Sequence, residues 1–247
     1  MKNYTESLAI FLSEKNVKFE IKEKNKTIVF SDDLIQQLFL ITEFHYKCQG
    51  YKPKIWNRMI DDRGTLVQDF SNKVKIVKRD ILRLKNRDLE NKFEEFLLSN
   101  SEENISKADK MLNIVEHKGY KQMIKRSMDR NEICLKEVYF TNIWNDNGIV
   151  IYDLKKSALD VYENDAIYLL SKLKRKGYKF DWDIMINKYC KNQNMDYFSE
   201  NYINNMVNFP YDYIKSALKY FWISKRYKEV FSQEKANKYI NKIYNTK

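Results

Sequence analysis

EICLKEVYFTNIWNDNGIVIYDLKKS, residues 132–157, decides how the rest of the chain is read. Ile133-Cys134-Leu135 is a short apolar strand. A polar stretch, Lys136 to Asn142, follows it. Ile143-Trp144-Asn145 and Ile149-Val150-Ile151-Tyr152 then flank Asp146-Asn147-Gly148, a turn signal between two apolar runs and so a hairpin. Asp153 stands directly after the second run. The order is strand, polar loop ending in Asn, tight hairpin, Asp.

Outward from this stretch the pattern is helical on both sides. Upstream, Phe70, Val74, Val77, Ile81 and Leu84 recur at helical spacing and predict a long amphipathic helix over 67–87. A shorter helix carries Phe93, Phe96 and Leu97. Residues 102–128 read as helix with a break at Gly119. Ser31-Asp32-Asp33 caps a helix carrying Leu34, Ile35, Leu38, Phe39, Ile41, Thr42 and His45. Residues 49–65 form a connecting loop, with Trp56 tucked back on the core. Downstream, helices are predicted at about 163–175, 181–191, 197–208, 210–222 and 232–244. Near the start, residues 4–14 read as a short helix. Val17 to Ile21 and Thr27 to Phe30 then read as a hairpin, on which Lys18, Lys22 and Lys26 face water.

Composition excludes several chemistries. The chain has 247 residues, 43% hydrophobic and 15% aromatic, which is enough for a real core and argues against disorder. Its 5 glycines are scattered, so neither a dinucleotide fingerprint nor a P-loop can form. With 2 histidines and 3 distant cysteines, a zinc site built from local ligand pairs is excluded, and the count argues against a disulfide framework. No run has the roughly 18 apolar residues of a membrane span, and the N-terminal stretch is too interrupted for a signal peptide. Synthesis in the cytosol is the expectation. The net charge of +11 is spread along the chain beside acids, without a basic block, which argues against a nucleic-acid partner.

The layout of residues 132–157 resembles the catalytic and metal loops of kinase-like phosphotransferases. There a loop acid orients the substrate hydroxyl, an Asn five residues on holds a metal, and an Asp after the hairpin holds magnesium. The flanks resemble the spore coat CotS family, itself related to aminoglycoside and choline phosphotransferases. Leu40 to His45 with Gly50 to Pro53 is similar to its helix-end motif. Ile133 to Asn142 resembles its loop, and Ile151-Tyr152-Asp153 its metal segment. Asp165 to Leu170, Asp181-Trp182-Asp183, Asn208-Phe209-Pro210 and the aromatic helix at Tyr220 and Trp222 follow in the family's order. The resemblance spans about residues 34–245. It implies an α+β, mainly α fold: the larger lobe of a protein-kinase-like fold (34–247) behind a reduced N-terminal lobe of helix plus β-hairpin (1–33).

The departures set the functional expectation. Where the family has His-Gly-Asp, this chain has Leu135-Lys136-Glu137, and a second loop His is Tyr139. Roughly 30 residues precede the larger lobe, too few for a phosphate lid and a buried Lys–Glu pair. The resemblance then implies a pseudokinase: a non-catalytic coat or sporulation scaffold, not an enzyme. Glu137 would be a vestigial loop acid, Asn142 and Asp153 vestigial metal residues, and no cofactor would be bound. Its partners would be other coat proteins or a second copy, docked on the face that a full N-terminal lobe would cover, and its location the spore coat. The alternative is a phosphotransferase acting on a small molecule or saccharide with ATP and magnesium, Glu137 serving as base and Asn142 and Asp153 as metal ligands.

Each residue also has a structural explanation. Asp153 suits a turn cap, Asn142 a loop amide bonded to backbone, and Glu137 a solvated or Lys136-paired carboxylate. His45 reads as a core histidine and Cys134 as a small buried hydrophobe. For Asp165 the resemblance implies an acid that holds the loop backbone through hydrogen bonds.

Overall fold

The helices predicted from period-3.6 patterning form where the apolar stripes place them, and the chain is mainly helical. The computed structural model describes residues 4–20, 30–53, 58–227 and 232–244. Trp56, Lys22, Lys26 and Thr27 to Val29 of the expected N-terminal hairpin lie outside these residues. No described helix is long and apolar enough to cross a membrane.

The chain divides into two compact units. The first comprises Met1–Gly64, His117–Lys172 and Lys179–Val207. It holds α1 (Tyr4–Ser13), α2 (Ser31–Cys48), α6 (Lys118–Arg130), most of α7 (Glu163–Arg175), α8 (Trp182–Asn192) and α9 (Tyr197–Val207), together with the six strands of the described residues. α2 buries Leu34, Leu38, Ile41, Phe44 and His45, one continuous stripe. Its start is fixed by Asp33, whose carboxylate accepts from the Phe30 N–H at 3.3 Å. The predicted break near Gly119 is real but lies just before it. α5 (Ser101–Leu112) passes into a 3₁₀ turn, Asn113–Glu116, and α6 begins at Lys118 with His117 accepting from the Gly119 N–H. Gly119 is there for space: a Cβ would sit 2.5 Å from the Phe198 ring.

The second unit comprises Thr65–Glu116, Leu173–Tyr178 and Asn208–Lys247. α3 (Thr65–Lys85) buries Phe70, Val74, Val77, Ile81 and Leu84, as its periodicity predicts. α4 (Lys92–Ser99), α5, α10 (Tyr211–Tyr227) and α11 (Gln233–Tyr244) complete this unit. Its buried carboxylate, Glu94, is fully satisfied: it accepts from the Tyr220 hydroxyl at 2.6 Å and the Glu90 N–H at 2.7 Å, and it pairs with Arg87.

Two small sheets in the first unit set up everything that follows. In one, β1 (Lys18–Phe19) runs parallel to β5 (Ile149–Ile151), and β5 runs antiparallel to β4 (Ile143–Asn145), with Trp144 opposite Val150. In the other, β6 (Ala158–Leu159) lies between β2 (Ile60–Asp61) and β3 (Ile133–Cys134). β1 therefore joins a strand more than a hundred residues away. Lys18 is exposed, as expected, and its Nζ donates to the Asp146 carbonyl at 3.1 Å. The β4–β5 hairpin closes as predicted, with Gly148 at φ +125° and its N–H on the Asn145 side chain.

Candidate functional site

Topology explains why the polar loop and Asp153 meet. The chain passes from β3 in one sheet to β4 in the other through residues 135–142, and returns from β5 to β6 through residues 152–157. Two connections that bridge the same pair of sheets must run side by side.

Asn142 ties them together. Its side-chain Nδ2 donates to the Glu137 carbonyl at 2.7 Å and to the Asp153 carbonyl at 3.0 Å. Its Oδ1 accepts from the Asp153 N–H at 2.8 Å, and its own carbonyl accepts from the Tyr152 N–H. A buried amide that satisfies both connections fixes the spacing between them. Asp153 caps its own turn, Oδ1 accepting from the Lys155 N–H at 2.8 Å, while Oδ2 lies 3.5 Å from the Lys155 ammonium. Glu137 pairs with Lys156. The structural expectations for Asn142 and Asp153 are met; Glu137 is the solvated carboxylate expected, and its ion pair is with Lys156, not Lys136.

Lys136 turns the other way. Its ammonium pairs with Asp62 and lies 3.0 Å from Asp160, an acid with no exposed side-chain surface. The reason is backbone geometry. Lys136 has φ +63°, and the Glu137 N–H closes on the Leu135 carbonyl at 2.8 Å, a tight three-residue turn. The resemblance places glycine here, the residue that takes positive φ without cost. Lysine costs about 1 kcal/mol in this region, offset by its ion pairs and by Asp165. Both Asp165 oxygens accept loop N–H groups, from Leu135 and Lys136, each at 2.8 Å. Oδ2 also meets the His45 Nε2 at 2.9 Å. His45 is buried, stacked on Tyr162 with ring centroids 4.1 Å apart, and bonded through Nδ1 to the Gln193 amide. It is the core histidine its helical position predicts, and Asp165 is the acid that holds the loop. His45, Cys134 and Asp165 lie close enough to resemble a metal set, but every one already has a protein partner: the Cys134 thiol lies 3.0 Å from the Val161 carbonyl.

Three groups were missed by sequence reasoning. Asp62, Asp160 and Gln193 carry no local motif and join the site only through the fold. Burial pushes the Asp160 carboxyl up to about 6, against the pull of Lys136 and the Asn164 amide. Burial also works against the Lys136 ammonium, but Asp160 and Asp62 outweigh it and raise its pKa. The pair is therefore ionised at neutral pH. An acid with a raised folded pKa contributes stability that is present below its unfolded pKa, near 3.8, and is lost as pH rises through 6. Lys136→Met removes the counter-charge, so that loss grows. Urea titrations should show the variant's deficit larger at pH 8 than at pH 5.5; an equal deficit at both would contradict the buried pairing.

No protein-family model matches the chain, and no curated protein matches it. Among solved structures, an aminoglycoside phosphotransferase from Alicyclobacillus acidocaldarius subsp. acidocaldarius is similar with a TM-score of 0.70 at 13% identity, over 92% of this chain and 67% of that one. A spectinomycin phosphotransferase, solved in complex with ADP and spectinomycin, gives a TM-score of 0.53 at 12% identity, over 98% of this chain and 81% of that one. The CotS resemblance rests on the sequence motifs alone, and the likeness supports a kinase-like phosphotransferase fold. It corrects the expectation of a non-enzyme: the folds this chain resembles are those of phosphotransferases, and the loop acid, Asn and Asp are held together rather than dispersed. The chain has the kinase-like phosphotransferase fold.

Proposed function

We propose that the chain is a phosphotransferase that moves a phosphoryl group from ATP, with magnesium, to a hydroxyl of a small molecule or saccharide. The observation that carries this reading is the Asn142 amide, which locks the Glu137 and Asp153 connections into one arrangement.

The residues present fit magnesium. It takes oxygen donors, usually one or two from protein with phosphates completing the set. Asp153 supplies carboxylate oxygens that use only part of their accepting capacity, and the Asn142 Oδ1 accepts one hydrogen bond where it has two lone pairs. These two would hold the ion. When bound, it would neutralise charge on the phosphates. Glu137 would accept the hydroxyl proton. Its side chain is 43% exposed, within reach of a substrate, and its contact with Lys156 is a surface pair that yields easily. Asp165 positions the loop from behind. Spore-coat association and coat-protein or self-association partners rest on the motif resemblance and stand beside this activity rather than in place of it.

Asp153→Ala tests the assignment. The side chain is 25% exposed and caps one turn, so stability should fall by about 0–1.5 kcal/mol. Transfer from ATP to a panel of amino sugars and amino alcohols should drop by about a thousandfold or more. Transfer that survives the substitution would remove Asp153 from the reaction.

A further inference from the structure

We propose that Lys155 and Lys156 form a polyphosphate-binding element, taking the part that a lysine on the N-terminal sheet plays in kinase-like phosphotransferases. The inference rests on the phosphotransferase reading. It starts from two described lysines, one on β1 and one beside the loop acid, that already have partners. Lys18, on β1, donates to the Asp146 carbonyl. Lys136, beside the loop acid, is held by Asp62 and Asp160.

Among the described residues, the ammonium groups within 4 Å of the site carboxylates belong to Lys155 and Lys156. Both come from the β5–β6 connection, directly after Asp153. Lys155 reaches back to Asp153, and Lys156 reaches across to Glu137. The turn that carries them is closed by the Ser157 N–H on the Leu154 carbonyl at 2.9 Å. The Lys155 N–H is held by Asp153, and the Lys155 carbonyl accepts from the Tyr4 hydroxyl at 2.6 Å. The side chains are 81% and 67% exposed. Exposed lysine–carboxylate pairs are worth little, whereas ammonium–phosphate contacts are charge-assisted on both sides.

Each lysine thus has two available states. In one it screens a carboxylate that would otherwise repel an approaching polyanion. In the other it pairs with phosphate and leaves the carboxylate to its own role. One pair of residues would therefore couple polyphosphate arrival to exposure of Glu137 and Asp153. The ligand class is a linear polyphosphate, carried by a nucleotide or alone.

Calorimetric titration of the full chain with inorganic tripolyphosphate and with ADP, both without metal, tests this. Wild type should bind both. Lys155→Ala/Lys156→Ala should weaken binding by about tenfold or more, and Lys155→Arg/Lys156→Arg should restore it to within about threefold. Asp153→Asn, which removes the competing carboxylate, should tighten tripolyphosphate binding. Both lysines are exposed, so thermal melts should match wild type. No binding by wild type, or binding unchanged by the double alanine substitution, would overturn the inference. Lysine-dependent binding without transfer to any acceptor would support it and count against the phosphotransferase reading alone.

Discussion

Arg126→Met is expected to destabilise the chain by about 3–5 kcal/mol, a large share of the stability of most domains. Arg126 lies on α6 and holds two carboxylates that have no exposed surface. Its Nε and Nη2 donate to Glu132 at 2.8 and 3.1 Å, and its Nη1 and Nη2 donate to Glu163 at 3.0 and 2.7 Å. Glu163 also accepts from the Ser199 hydroxyl at 2.5 Å. Burial raises the Glu132 carboxyl even with the guanidinium in place. Removing the guanidinium leaves two buried like charges facing each other, and breaking such a set costs more than forming it gains. The sign of the pH response follows. With the folded Glu132 pKa raised, the native state binds more protons than the unfolded one, so the variant gains stability as pH falls. Urea unfolding at pH 7.5 and 5.5 checks both the size and the slope. Adding Glu132→Gln and Glu163→Gln should recover part of the loss.

Asp165→Ala should cost about 3–5 kcal/mol and also abolish phosphate transfer. The substitution strands the Leu135 and Lys136 N–H groups in a buried site, at about 1–3 kcal/mol each, and removes the His45 partner. It also releases the turn at Lys136, whose positive φ persists only because the surroundings hold it. Asp165→Asn is the sharper probe. Asn keeps one acceptor but presents an NH₂ group to the second N–H, so it should cost less stability than alanine while still misplacing Glu137. Stability from urea titration and activity from transfer assays should separate the two substitutions. Near-normal activity in either would mean that the loop does not depend on this acid.

The helical part of the fold was legible because its signal is dense. Phe70, Val74, Val77, Ile81 and Leu84 are five points on one stripe, and all are buried. The β4–β5 hairpin was legible for a similar reason: Asp146-Asn147-Gly148 allows few turns. β2 and β6 are two residues each, too short for any period to register. The parallel pairing of β1 with β5 links positions such as Lys18 and Val150, which share no local pattern.

Within the site, Glu137, Asn142 and Asp153 could be named from spacing and resemblance, and His45 and Asp165 from their placement. The direction in which Lys136 points could not, because it follows from a backbone φ and from Asp62 and Asp160, which are distant in sequence. The expectation of a non-enzyme weighed what the N-terminal segment lacks. It is overturned by the likeness of the whole fold to phosphotransferases, which no single motif carries.

The most direct test of the central claim is magnesium-dependent transfer of the terminal phosphate of ATP, measured with wild type and with Glu137→Gln over the same acceptor panel. The account predicts transfer by wild type and a fall in kcat of about a hundredfold or more in Glu137→Gln, as expected for loss of a general base, with unfolding midpoints unchanged. A folded wild-type chain that transfers to none of the acceptors, or a Glu137→Gln variant as active as wild type, would contradict it.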